Sequence, residues 1–250
     1  MENKLSGKVV LITGGAKRVG AATARHLHAC GANLMIHYRA SSSEAAGLAA
    51  DLNALRAHSV GTIQADLLNI PMLPSLIKQT LQQYGRLDAL INNASSFFPT
   101  PLPEVTLASW DDLMGSNLKA PLFLAQAAAT ALKDYKGCIV NITDIHSERP
   151  LPGYVIYSIA KAGLMGLTRS LAIELGPDVR VNAIAPGPIL WPEASTDFDD
   201  ASRQRIISQT VLARVGDPHD IALAAEFLIA GAPYTTGQVI AVDGGRSIKF

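Results

Sequence analysis

The chain has 250 residues, is 48% hydrophobic and carries 21 basic against 21 acidic residues. That length suits one α/β domain with a large core, and the charge balance excludes a global field that would recruit nucleic acid or an anionic membrane, so any phosphate binding has to be local. Cys30 and Cys138 stand without metal-ligand spacing and read as buried thiols of a reducing compartment, with no metal expected. The N-terminal MENKLSGKVV has no long apolar stretch, and no run approaches the length of a bilayer span, which predicts a soluble cytoplasmic protein.

Residues 8–13 (KVVLIT) form a short β-branched run that ends in Gly14-Gly15-Ala16-Lys17-Arg18-Val19-Gly20. An Ala-rich helical pattern follows to Ala29 before Gly31 stops it. Strand, glycine turn and helix are the context that a dinucleotide fingerprint requires. The alternation continues with a strand at 32–38, a helix capped by Ser42 or Ser43 and running to Arg56, a strand at 59–65 ending at Asp66, and a helix at 71–84. A strand at 87–91 opens into the loop 92–99, and a long helix fills 107–132.

The second half repeats the rhythm. A strand at 137–143 delivers Asp144, a helix at 154–175 carries Tyr157 and Lys161, and a sixth strand lies at 179–184. Residues 186–200 are too polar and Pro-rich for regular structure; helices at 201–212 and 217–229 precede a last strand at 238–242. The pattern predicts one doubly wound Rossmann-type α/β domain over residues 1–250, with a central parallel sheet of about seven strands, helices on both faces and a lid at about residues 186–212.

Tyr157 and Lys161 are four apart on a helix, so their side chains stack on one face. An ammonium beside a phenol favours the phenolate, which predicts a Tyr157 pKa drawn down from about 10 toward working pH and makes it a candidate proton donor. Asp144 ends a strand, where open parallel sheets place ligands; it reads either as a catalytic acid or as a helix cap and ion-pair partner of Lys161. Gly14 and Gly20 bracket a turn whose backbone can approach a pyrophosphate at a helix N-terminus. Lys17 and Arg18 would repel each other and that positive helix end, a conflict that a bound phosphate removes.

The end of the second strand selects the cofactor. His37-Tyr38-Arg39-Ala40-Ser41 has no carboxylate to hold a ribose 2′-hydroxyl before Glu44. Arg39 can pair with a 2′-phosphate and Ser41 can donate another hydrogen bond, so the expectation is NADPH. A solvated arginine is the alternative reading of Arg39.

These residues together resemble the short-chain dehydrogenase/reductase family over nearly the whole chain: Thr13-Gly14 with Gly20, Asp66, Asn92-Asn93-Ala94, Asn117, Tyr157 with Lys161, and Pro186-Gly187. The resemblance implies that Asp66 and Leu67 contact adenine, that Asn93 and Ala94 border the adenosine ribose, and that Lys161 holds the nicotinamide ribose. It also implies that Asn117 supports a proton-relay water, and that His37, Tyr38, Ser95, Thr143, Pro186, Gly187 and the backbone of Ile189 complete the cofactor site. Asn117 can equally be read as a satisfied mid-helix amide.

Two departures narrow the resemblance. Arg18 stands where the family usually has glycine, and Asp144 replaces its usual catalytic serine. Both are similar to pteridine reductases, as is Asn93-Ala94-Ser95-Ser96-Phe97-Phe98-Pro99. By that likeness Phe97 stacks on a pterin, Ser95 and Arg18 contact it, Asp144 and Tyr157 deliver its proton, and Leu190 and Trp191 wall its tail or simply pack the lid. Phe97 and Phe98 could instead clamp the loop onto the domain. The implied substrates are biopterin-like pterins or dihydrofolate, and the implied assembly is a homotetramer. The alternatives are a carbonyl or 3-oxoacyl thioester reductase of the same family, disfavoured by Asp144, and a non-catalytic NADP-binding regulator.

Overall fold

The computed structural model describes residues 4–190 and 199–249. Its seven strands, β1 (Val9–Ile12), β2 (Asn33–Tyr38), β3 (Val60–Gln64), β4 (Ala89–Asn92), β5 (Cys138–Ile142), β6 (Arg180–Pro186) and β7 (Val239–Val242), pair in the order β3-β2-β1-β4-β5-β6-β7. Every pairing is parallel. Parallel strands covered on both faces have no solvent side, so their sequences run continuously apolar. The pleat then divides alternate residues between two cores. Val10, Ile12, Leu34, Ile36, Ala89 and Ile91 join one core, whereas Leu11, Met35 and Leu90 join the other.

The first core is roofed by α1 (Arg18–Ala29), α2 (Ser42–Leu55) and, from far along the chain, α8 (Pro218–Glu226). The second is roofed by α3 (Leu73–Tyr84), α5 (Ala120–Asp134) and α6 (Val155–Leu175). Chain order reverses between β1 and β4, so their carboxyl ends part and leave a crevice there. No helix among the described residues is long and apolar enough to cross a membrane.

Four expected elements need correction. The long helix is α4 (Leu107–Met114), a π-helical turn at Gly115–Lys119, and α5. Pro121, at the start of α5, has no amide hydrogen for the regular ladder, and the Ala120 amide reaches back to the Gly115 carbonyl instead. α2 is capped at Ser41, one residue before the serines favoured from sequence. The helix expected at 201–212 is α7 (Asp200–Ser208), because the Leu212 amide leaves the helical direction to pair with the Gly244 carbonyl. α8 passes into a second π-helical turn, Phe227–Gly231, rather than continuing unbroken. Within the expected lid, residues 191–198 lie outside the described residues, and Trp191 with them.

Candidate active site

The crevice is a cavity of about 780 Å³ running from the turn after β1 to the corner after β5. Its walls include Gly14, Lys17, Arg18, Gly20, His37 and Arg39 at one end. Asp144, Tyr157, Lys161 and Leu190 stand at the other.

The turn after β1 is built to be tight. Gly14 has a φ of +60°, and a Cβ there would lie 2.9 Å from the Ala94 Cα; a Cβ at Gly20 would run into the Gly14 carbonyl oxygen. Thr13 Oγ1 accepts the amides of Asn93 and Ala94, both at 3.0 Å, while the Asn93 side-chain amide donates to the carbonyls of Thr13 and Gly14. Asn93 therefore ties β4 to the turn. His37 does similar work: its Nδ1 accepts the Gly14 amide at 3.1 Å and its Nε2 donates to the Ala65 carbonyl. That pattern requires the neutral tautomer protonated on Nε2, and burial lowers the His37 pKa in agreement.

The N-terminus of α1 has no side-chain cap hydrogen bond and no acidic residue in its first turn. Its amides are thus left for an anion. The expected repulsion between Lys17 and Arg18 is already relieved in the chain itself: Lys17 pairs with Glu44, whose carboxyl is held below its ordinary range by that contact. Arg18 takes the left-handed conformation, φ +53°, and donates from Nη2 to the Leu190 carbonyl at 3.3 Å. Arg39 is exposed on the cavity wall, whereas Tyr38 and Ser41 stand outside it. Asp66 accepts the Leu68 amide and, with Leu67, lines the cavity beyond β3.

At the other end, the Asp144 carboxylate divides its oxygens. Oδ1 accepts the His146 amide at 2.8 Å and caps a short 3-10 turn, while Oδ2 accepts the Tyr157 hydroxyl at 2.7 Å. The cap reading of Asp144 is thus present, whereas Lys161 is bonded to the Ile142 carbonyl rather than paired with this acid. Lys161 is only 2% exposed and donates from Nζ to the Ile142 carbonyl at 2.9 Å; burial depresses its pKa to about 8, with Asp144 opposing.

The expected drop in the Tyr157 pKa is overturned. Burial, and after it the Asp144 charge and hydrogen bond, push the phenol well above its ordinary value. Lys161 Nζ lies 5.6 Å from the phenol ring centroid and is bonded elsewhere, so it does not offset them. In this pair the phenol donates and the Asp144 oxygen accepts.

Asn117 sits inside the π-helical turn, 1% exposed, with its amide donating to the Ser96 and Leu113 carbonyls and its Oδ1 accepting Ser95 Oγ at 2.6 Å. It is a satisfied amide that fixes the loop after β4. On that loop Phe98 packs against the cluster of Leu113, Tyr154, Ile156 and Tyr157. Phe97 stays 36% exposed on the cavity, stacked on Tyr154 at 4.6 Å and edge-on to Tyr157 at 4.8 Å. Thr143 donates to the Ile184 carbonyl, and Pro186, Gly187 and Ile189 close the wall after β6.

Sequence reasoning missed two basic side chains of this wall. Arg246 donates to the Ile206 carbonyl at 3.0 Å and faces the cavity, its pKa lowered by burial and raised by Asp144. Its only signal was its place directly after Asp243-Gly244-Gly245, a turn with both glycines at positive φ. His146, on the 3-10 turn after Asp144, also lines the cavity, with Nδ1 donating to the Arg149 carbonyl at 2.8 Å.

Comparison with known proteins places these features in context. The model of the family described as Enoyl-(Acyl carrier protein) reductase matches residues 14–247. The chain is 35% identical to pteridine reductase 1 of Leishmania tarentolae over 288 aligned positions, covering 99% of both chains. It is also 35% identical to a 3-oxoacyl-[acyl-carrier-protein] reductase of Synechocystis sp. over 246 positions, covering 96% of this chain and 97% of the relative. Among solved structures, a blue fluorescent protein from a metagenomic library in complex with NADPH superposes with a TM-score of 0.90 at 34% identity, covering 97% of this chain and 99% of that one.

Proposed function

Because this chain belongs to the short-chain dehydrogenase/reductase family of oxidoreductases, we propose that it reduces C=N bonds of pteridine rings with NADPH. The observation that carries the substrate reading is the 2.7 Å hydrogen bond from the Tyr157 hydroxyl to Asp144 Oδ2. A carbonyl oxygen needs a neutral donor while hydride arrives, whereas a ring C=N needs a proton delivered to nitrogen. Tyr157 can give its proton to that nitrogen, and the phenolate so formed can be recharged from solvent by way of Asp144, whose oxygen relays the proton along the same hydrogen bond. Burial and Asp144 keep the phenol protonated until then. Phe97 lines the cavity and is partly exposed there, an aromatic side chain against which a flat bicyclic ring could pack.

The residues present fit a phosphorylated dinucleotide. The uncapped N-terminus of α1 and the glycine turn suit a pyrophosphate. Arg39, on the cavity wall, could pair with a 2′-phosphate, and Glu44 would not oppose that anion because Lys17 pairs with it. Asp66, Leu67, Asn93 and Ala94 would border the adenosine half, with Thr143, Lys161, Pro186, Gly187 and the Ile189 backbone bordering the nicotinamide half. NADPH, when bound, supplies the hydride.

The competing reading is reduction of 3-oxoacyl thioesters, favoured by the equal identity to the Synechocystis enzyme. NADPH oxidation measured with dihydrobiopterin, dihydrofolate and an acetoacetyl thioester separates the two. We expect turnover with the pteridines; turnover with the thioester alone refutes the pterin reading, and NADPH binding without turnover of any of them leaves a regulator.

A further inference from the structure

Away from the cavity, the C-terminal end of α1 meets α8 through three side chains whose donor atoms face one another. His26 Nε2 lies 2.8 Å from Glu226 Oε2, and Cys30 Sγ lies 3.7 Å from the same nitrogen. One ligating atom from each of the three falls within 4.8 Å of the other two. None of these residues lines the catalytic cavity. His26 and Cys30 share a helix face because they are four apart, but Glu226 is 200 positions from His26, so no linear motif announces the cluster.

We propose that His26, Cys30 and Glu226 bind a thiophilic divalent cation of the zinc class, stapling α1 to α8. Bond lengths of about 2.0–2.2 Å to nitrogen and oxygen and about 2.3 Å to sulfur put the ligand atoms of a tetrahedral centre roughly 3.3–3.7 Å apart. The Cys30–His26 distance already meets that spacing, and the His26–Glu226 contact has to open by about half an ångström. Mixed sulfur, nitrogen and oxygen donors select zinc-like ions over magnesium or calcium, which take oxygen shells.

The surroundings suit a closed structural site. His26 and Cys30 are 8% and 2% exposed, while Glu226 is partly buried and can admit an ion from solvent. Lys4 Nζ, 3.6 Å from Glu226 Oε1, can remain as an outer partner of the ligating carboxylate. The exposed His219 ring stands edge-on to His26 with centroids 4.8 Å apart but outside the group of three, and water can fill the fourth position. Zinc takes cysteine as the thiolate and imidazole through an unprotonated ring nitrogen. Binding therefore breaks the S–H bond, shifts the imidazole proton of His26 from Nε2 to Nδ1, forms the metal–thiolate and metal–nitrogen bonds and releases one proton to solvent.

Cobalt(II) titration of the metal-stripped full chain tests this. The expected result is a one-to-one complex with a thiolate-to-cobalt absorption band in the near ultraviolet, bleached by zinc, with about one proton released. Zinc at a hundredfold excess over its Kd should raise the Tm by about 5–10 °C. Cys30→Ala should abolish the band, and Glu226→Gln, which keeps a hydrogen bond to His26, should weaken binding at least about tenfold with the fold intact by circular dichroism. Cys138→Ala should leave the band in place, and reductase activity should survive in all three variants. A missing band, or a band that persists in Cys30→Ala, overturns the site; so does cobalt affinity unchanged in Glu226→Gln.

Discussion

The turn after β1 and the corner after β5 open onto one cavity, and each carries a residue that departs from the family's pattern, yet the fold accommodates them by different physical means. Arg18 bears its cost in the backbone: a non-glycine residue at φ +53° gives up about 1–2 kcal/mol against an ordinary conformation. Asp144 has an extended backbone, φ −165°, and acts instead through electrostatics, raising the pKa of the buried Tyr157 phenol and opposing the burial that depresses Lys161. A conformational cost is visible in stability and leaves chemistry alone. An electrostatic effect is visible in proton affinities, where chemistry happens.

Asp144→Ala is the strongest way to break this comparison. It should lower kcat for an oxidised pterin by at least about a hundredfold, the usual scale of a lost general acid, with NADPH affinity unchanged. Because burial and then Asp144 raise the Tyr157 pKa, removing the acid leaves burial alone, and the alkaline limb of the pH–rate profile should move to lower pH. A limb that stays in place, or full retained activity, would mean that Asp144 is only the cap of its 3-10 turn.

Arg39→Ala sharpens the contrast at the cofactor end. Charge-assisted hydrogen bonds contribute about 1.5–3 kcal/mol, so NADPH should bind roughly 10- to 100-fold more weakly while NADH affinity barely changes. Isothermal titration with both nucleotides checks this, and equal losses would remove Arg39 from the choice of cofactor. The backbone on which Arg39 is displayed is independent of its charge: its carbonyl takes the Gln64 side chain.

What could be read from the chain alone follows the same division. Strand and helix alternation is a local, repeated signal, and the sheet, its two helical layers and the carboxyl-end crevice all follow from it. Side-chain environment is not local. The spacing of Tyr157 and Lys161 gave their shared helix face but the wrong direction for the phenol's pKa, because burial and the hydrogen bond to Ile142 depend on β5. His37 and Asn93 were expected at the cofactor, and they line the cavity, but their polar atoms are committed to β1, β3 and the glycine turn. The π-helical turn around Asn117 depends on a backbone hydrogen bond that no periodicity records. Arg246 reaches the cavity only because the last turn folds back over α7.

The smallest expected effect isolates the backbone cost. Arg18→Gly relieves the left-handed conformation but adds freedom to the unfolded chain, opposing terms of about 1–2 and 0.5–1 kcal/mol. The remainder should raise the Tm by about 1–4 °C for a domain of this size. Arg18→Ala keeps the strained backbone and should show no such gain, although both variants lose the same exposed hydrogen bond to the Leu190 carbonyl. Differential scanning calorimetry of the pair therefore separates conformation from contact: a glycine variant more stable than the alanine variant assigns the cost to φ, and equal melting temperatures would return it to the lost guanidinium. Any loss of NADPH or pterin affinity should be shared equally by the two, since the guanidinium proposed to meet the ligand is missing from both.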